Sequence, residues 1–157
     1  MKKRSERFYL RIAKAMDVRQ LSSMAESLHN QHGWTGEFNR PWKVNFLQCL
    51  IRRTSAICVV AESQSEIVGY AIGILETEPA ASKVRCRITE IYVTEAFRRR
   101  KVATRLLRKI LVWAKAVGAF EVVANIAVTN PYKAEKVFSV LNFSPRSVTY
   151  VKRLKQL

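Results

Sequence analysis

Three consecutive segments late in the chain do most to restrict its fold. In Lys83–Val93, Lys83, Arg85, Arg87 and Thr89 alternate with Val84, Cys86 and Ile88, the period-two pattern of a strand with one buried face. Arg98–Val117 carries Val102, Leu106, Ile110, Trp113 and Val117 as a helical stripe and stops at Gly118. Val122–Val128 is nearly all apolar, as expected of a strand covered on both faces. Strand, helix and strand in that order predict a right-handed crossover between parallel neighbours.

Upstream, Tyr9–Ala13 reads as a short first strand. Asp17 is placed to cap a helix with Val18, Leu21, Ala25 and Leu28 on one face, ending at His29-Asn30-Gln31-His32-Gly33. A second helix begins at Pro41, with Trp42, Phe46 and Leu50 expected inward. Ala56–Ala61 and Ile67–Leu75 form a hairpin through a polar turn at Ser63 and Ser65. Downstream, Tyr132–Leu141 reads as a helix and Ser147–Leu154 as a last strand. With no repeats or linkers, the 157 residues predict one domain spanning 1–157. Its class is α+β: a mixed, largely antiparallel sheet around the parallel strand–helix–strand unit.

No apolar run approaches the ~18 residues of a membrane span. The basic opening MKKRSERFYLRIAKAMD is interrupted by Arg11, Lys14 and Asp17, which argues against a secretion signal. Cys49, Cys58 and Cys86 are odd in number, lack metal-ligand spacing and sit in apolar runs. Reduced, buried thiols in a cytoplasmic protein follow. His29 and His32 share a helical spacing but have no third ligand nearby, so an exposed helix end is expected and no metal site. The net charge of +16 implies a polyanionic partner, an acidic target surface, or both. No acidic residue lies between Glu95 and Glu121 or after Glu135, so the basic excess gathers towards the C-terminus.

The stretch Ile91–Ala103, IYVTEAFRRRKVA, runs from a strand end into a helix. Free backbone N–H groups and the positive helix end there suit an anion; a basic, solvated helix start is the competing reading. The segment resembles the acetyl-CoA loop of the Gcn5-related N-acetyltransferases, Arg/Gln-x-x-Gly-x-Gly/Ala after a hydrophobic-x-Val strand end. Ile91, Tyr92 and Val93 match the strand end, Arg98, Arg99, Arg100, Lys101, Val102 and Ala103 the loop, and Thr104 continues the helix. Asn130, Ala134, Phe138 and Leu141-Asn142-Phe143 resemble the family's second motif, and Tyr150–Leu154 its closing strand. The resemblance implies an acyl-CoA N-acyltransferase-like fold with acetyl-CoA as cosubstrate and an amine as acceptor. Three positions depart from the pattern: Lys101 replaces a glycine, Asn130 lies one residue too far from Ala134, and Phe138 stands where the family often has a tyrosine acid.

An amine of pKa ~10 must lose a proton before it attacks, and a carboxylate can take it. Glu90 is the candidate, and strict alternation puts it on the face of Val84, Cys86, Ile88 and Tyr92. Otherwise it is a strand-end glutamate in solvent or paired with Arg87, reached through a bulge. The resemblance assigns the Ile91 N–H to the thioester oxygen. Tyr132 or Tyr150 could replace the missing acid, and Trp34, Phe38 and Trp42 could wall the acceptor cleft. The implied activity is N-acetylation of a primary amine by direct attack, the acceptor residing on an acidic protein or nucleic-acid-associated target; a homodimer is compatible with it. A non-catalytic acyl-CoA-binding module and a basic nucleic-acid- or ribosome-associated protein are the alternatives.

Overall fold

The computed structural model describes residues 7–32, 36–80, 82–125 and 135–147. In chain order it contains β1 (Tyr9–Ile12), α1 (Val18–Gln31), α2 (Arg40–Ile51), β2 (Ala56–Ser63), β3 (Glu66–Glu78), β4 (Lys83–Val93), α3 (Val102–Ala116), β5 (Val122–Ala124) and α4 (Glu135–Val140). The five strands form one sheet in sequence order. Neighbours from β1 to β4 are antiparallel and β4 pairs with β5 in parallel, the arrangement that the strand–helix–strand pattern implies. Among the described residues, no helix is long and apolar enough to cross a membrane.

Period-two alternation splits the sheet between two cores. Ile57, Val59, Ala61 and Ala71 face α3 with Leu106, Leu107 and Ile110. Cys58, Val60, Tyr70 and Ile72 face α1 and α2 with Leu21, Leu47 and Leu50. The β2–β3 hairpin turns through Gln64 and Ser65, both with positive φ, as a two-residue turn matching strand twist requires. Gly69 lets α3 come close: an added Cβ would meet the Tyr92 carbonyl oxygen at 3.0 Å and Val102 Cγ1 at 3.2 Å.

Several local expectations change. Val18, Leu21, Ala25 and Leu28 are buried as read, but the Asp17 carboxylate does not cap α1. It binds Arg11 Nη1 at 2.6 Å, Arg11 Nη2 at 2.9 Å and the Lys14 N–H at 2.6 Å instead. On α2 the inward residues are Lys43, Leu47 and Leu50, whereas Trp42 is 60% exposed and Phe46 half-buried. On α3 the stripe runs through Val102, Leu106, Ile110 and Ala114, leaving Val117 exposed. Cys49 is exposed, while Cys58 and Cys86 are buried. The last strand, beyond Ser147, the first three residues of the expected Tyr132–Leu141 helix, and Val122–Val128 past Asn125 lie outside the described residues.

Gly69→Ala should destabilise the protein by about 1–3 kcal/mol, because the carbonyl it meets belongs to a paired strand and cannot rotate away; urea denaturation reads this directly. The Arg11 guanidinium, followed by the Lys14 N–H, holds the Asp17 carboxyl below the usual carboxylate range. A depressed folded-state value contributes stability above the unfolded pKa of ~3.9, lost as pH falls through the folded value. Asp17→Asn should therefore lower stability by about 1.5–3 kcal/mol at neutral pH. The difference between the two proteins should close as the pH is taken below that of the folded carboxyl.

Candidate active site

Glu90 lies where β4 changes face. Ile72 pairs with Glu90 but Gly73 pairs with Ile88, so Thr89 is an extra residue on β4. Such a bulge resets side-chain parity. Cys86 and Ile88 point into the core under α3, and beyond the bulge Ile91 and Val93 do the same. Tyr92 packs against the α1–α2 side, and Glu90 reaches Tyr70 and Lys43 on that side. The expectation that Glu90 and Tyr92 share the face of Cys86 and Ile88 is thus overturned. Nor does Arg87 pair with Glu90; its guanidinium binds Glu76 at 2.7 and 2.9 Å.

The Glu90 carboxylate is held by groups from two other elements. Lys43 Nζ on α2 forms an ion pair with Oε1, and the Tyr70 hydroxyl on β3 donates to Oε2 at 2.7 Å. The side chains of Lys43 and Glu90 are only 8% and 15% exposed. Asn39 fixes this end of α2 by accepting the Trp42 N–H at 2.9 Å, with a proline in the first turn. From there, helical spacing carries Lys43, Leu47 and Leu50 onto the sheet. Lys43 Nζ also lies 5.0 Å from the centroid of the Phe46 ring, a favourable cation–π placement. Burial, then the Glu90 charge, push the Tyr70 hydroxyl well above its ordinary range, so it stays a donor. The same two causes, in that order, push the neighbouring Cys58 thiol up to about 12, which keeps it protonated and inert.

A cavity of about 250 Å³ opens over this cluster. Ala25 and Leu28 of α1 and Phe38 and Trp42 wall it, Lys43 and Glu90 lie at its base, and His29, Glu37 and Asn39 border it. Phe38 and Trp42 therefore do line a cleft, as two of the three aromatics expected to; Trp34 lies outside the described residues. His29 joins the loop rather than standing as a free helix end, its Nε2 being 3.0 Å from the Gly36 carbonyl and its ring 5.7 Å from Phe38. Burial lowers the His32 pKa below its ordinary value.

On the β5 side of β4, the described pairing stops before Glu90. The described β4–β5 ladder runs only from Cys86 to Ile88. The Thr94 N–H bonds Val68 on β3 at 2.9 Å, and N–H direction alternates along a strand. The Ile91 N–H therefore turns away from β3, towards a side with no described strand beside it.

Arg98–Lys101, expected as helix, form a turn before α3. Arg99 and Lys101 adopt φ of 60° and 63°, the left-handed region that the missing glycine would favour. The first intrahelical bond is Arg105 N–H to Lys101 O, 3.0 Å. The N–H groups of Val102, Ala103 and Thr104 consequently have no partner within the helix, which is the donor set a pyrophosphate needs. Arg98 is held in place by two contacts. Its Nε bonds the Val93 carbonyl at 2.9 Å and its Nη2 bonds Gln31 at 3.1 Å. Arg99, Arg100 and Lys101 are exposed.

Phe138 is buried, edge-on to Phe143 at 5.1 Å. Tyr132, Asn130, Ala134 and Tyr150 lie outside the described residues. Sequence reasoning missed Lys43 and Tyr70. Lys43 is in step with Leu47 and Leu50, but its partner Glu90 is distant in sequence; Tyr70 alternates among apolar residues like any core aromatic. Lys43→Met should cost about 3–5 kcal/mol by leaving a buried carboxylate unpaired. Adding Glu90→Gln to it should recover a large part of that loss, and chemical denaturation of both single variants and the double variant reads the coupling.

A family model for the acetyltransferase (GNAT) family matches residues 21–143, and no curated protein matches the chain. Ribosomal-protein-alanine N-acetyltransferase from Brucella melitensis biovar Abortus 2308 has a similar fold, with a TM-score of 0.74 at 16% identity. That match covers 95% of this chain and 100% of that one. Aminoglycoside N-acetyltransferase AAC(6')-Iy, in complex with CoA, gives 0.78 at 18% identity over 98% of this chain and 100% of its own. Glucosamine-6-phosphate N-acetyltransferase from Arabidopsis thaliana gives 0.69 at 16% identity, covering 96% and 100%. The similarity to these structures supports an acyl-CoA N-acyltransferase-like fold, and the loop before α3 has the form the cosubstrate requires. The chain belongs to the acetyltransferase (GNAT) family.

Proposed function

We propose that the chain acetylates a primary amine by direct attack in a ternary complex, the amine entering the cavity above Glu90. The observation that carries this reading is a carboxylate lining a largely apolar-walled cavity, one residue before a backbone N–H that turns away from β3. In this reading Glu90 takes the proton of the acceptor ammonium, directly or through water. The Ile91 N–H donates to the thioester oxygen as negative charge develops there. Arg98 braces the loop, and the backbone from Arg99 to Thr104 receives the pyrophosphate. Ile91, Tyr92 and Val93 bound the thioester end, with Asn130, Ala134 and Phe138 completing the cosubstrate site.

Phe138 supplies apolar surface and no proton. Tyr132 is the proposed donor to the departing sulfur, whose thiol has a pKa near ~8.5, so that a donor assists without being required near neutrality. The net charge of +16 supports an acceptor on an acidic protein or nucleic-acid-associated target. Three free cysteines, two of them buried, suit the cytoplasm.

Saturating acetyl-CoA should raise the melting temperature, by about 2.7 kcal/mol of linkage at a hundredfold excess over Kd. A panel of primary amines should then include one that is turned over. Glu90→Gln should lower kcat by ~10²–10⁴-fold while acetyl-CoA still raises the melting temperature. That loss should shrink at high pH, where more of the amine is already neutral. A rate unchanged by Glu90→Gln across the pH range would remove Glu90 from the mechanism.

A further inference from the structure

The base of the cavity carries a carboxylate and an amine in contact. The Lys43 ammonium occupies Glu90 Oε1, an oxygen to which an acceptor ammonium would surrender its proton in the direct form of the proposed mechanism. Its side chain comes from α2 and lines the cavity beside Glu90. Glu90 in turn is bonded directly to Ile91, whose N–H meets the thioester in the proposed mechanism. The nearest amine to the base is therefore one the chain itself supplies.

We propose that Lys43 is a self-acetylation site: with acetyl-CoA bound and no other amine in the cavity, the chain transfers the acetyl group to its own Lys43 ε-amine. The inference rests on the reading of Glu90 as base. Glu90 accepts a proton from the Lys43 ammonium, and the freed nitrogen lone pair attacks the thioester carbonyl carbon. The carbon–sulfur bond breaks and its electron pair leaves on the CoA sulfur. The second amine proton passes to that sulfur or to solvent, so that the products are an ε-N-acetyl-lysine, CoA and the proton held by Glu90. Holding the amine in place replaces a bimolecular encounter by an intramolecular one, an advantage worth several kcal/mol of barrier in well-oriented systems.

Two consequences separate this from adventitious chemistry. Lys43 is 6% exposed, whereas Lys83, Lys101, Lys109 and Lys115 are exposed. Acetylation by cosubstrate in bulk solution would fall on the exposed lysines and spare Lys43. Acetylation at Lys43 also replaces an ammonium by a neutral amide, leaving the Glu90 carboxylate with the Tyr70 hydroxyl as its remaining described partner. The modified side chain would fill the base of the cavity, and a free amine that occupies the cavity first should protect against it.

The full chain is incubated with acetyl-CoA and no added amine, then followed by intact mass and peptide mapping. One acetyl group should accumulate at Lys43, at a fractional rate unchanged by dilution of the protein. Glu90→Gln should slow it roughly 10²-fold, and Lys43→Arg should abolish it. The proposal is overturned if Lys43 stays unmodified while acetyl-CoA raises the melting temperature and an added amine is turned over; the proposed function then stands. It is equally overturned if acetyl groups scatter over the exposed lysines at the same rate in Glu90→Gln. If acetyl-CoA leaves the melting temperature unmoved, the cosubstrate reading and this one fall together.

Discussion

Thr89 governs the site although its own side chain is exposed. An unbroken period of two would carry Glu90 beneath α3, among Ile88, Leu106 and Ile110, where no described ammonium is placed to meet it. An isolated carboxylate in such surroundings is costly enough that it would take up a proton instead. The extra residue turns Glu90 to the opposite face, where α2 supplies an ammonium and β3 a hydroxyl. The same half-turn leaves Ile91 and Val93 packed under α3 with their N–H groups facing the β5 side. One inserted residue thus sends the Glu90 carboxylate and the Ile91 N–H in different directions, the first to the cavity and the second away from β3.

Much of the frame was legible because it is written in periodicity. The limits of β4, Lys83 and Val93, coincide with the alternating segment, and the buried residues of α1 are those at helical spacing. The bulge was not legible in its place, since an extra residue leaves composition and local propensity unchanged and appears only in the pairing with β3. Lys43 was passed over because a lysine costs more to bury than Trp42 or Phe46; its burial depends on Glu90, forty-seven positions away, which no local pattern reports. Periodicity extends the helix back to Arg98 because the side chains of Arg98–Lys101 suit one, whereas the family resemblance reads the same residues as a loop. Their backbone departs from helix at Arg99 and Lys101, residues that ordinarily avoid positive φ.

That departure has a physical cost and a visible offset. A residue with a Cβ in the left-handed region gives up roughly 1–2 kcal/mol, and the loop holds two of them. Opposing this, Arg98 ties the loop to the end of β4 through the Val93 carbonyl, and Val102 seats the first turn of α3 against Gly69. The freedom a glycine would have given the loop is replaced by rigid anchoring on both sides. The glycine that matters lies across the interface, where it makes room for the helix start.

For an acceptor that enters the cavity as proposed, charge balance sets the remaining condition. One carboxylate compensates one ammonium, and the Tyr70 hydroxyl, pushed well above its ordinary range, contributes no charge. Glu90 and Lys43 are together neutral, so an arriving ammonium makes the base of the cavity positive. Two like charges about 4 Å apart repel by about 4 kcal/mol at an effective dielectric constant of ~20. An acceptor must therefore arrive as the neutral amine, bring its own anion, lean on Glu37 at the border, or displace Lys43 from Glu90. Each route favours amines of a different kind. The three acetyltransferases of similar fold are named for a ribosomal-protein alanine, an aminoglycoside and a glucosamine phosphate, so the common sheet does not choose among such routes. In the proposed reading, the choice in this chain falls to the Lys43–Glu90 pair and to the largely apolar walls around it.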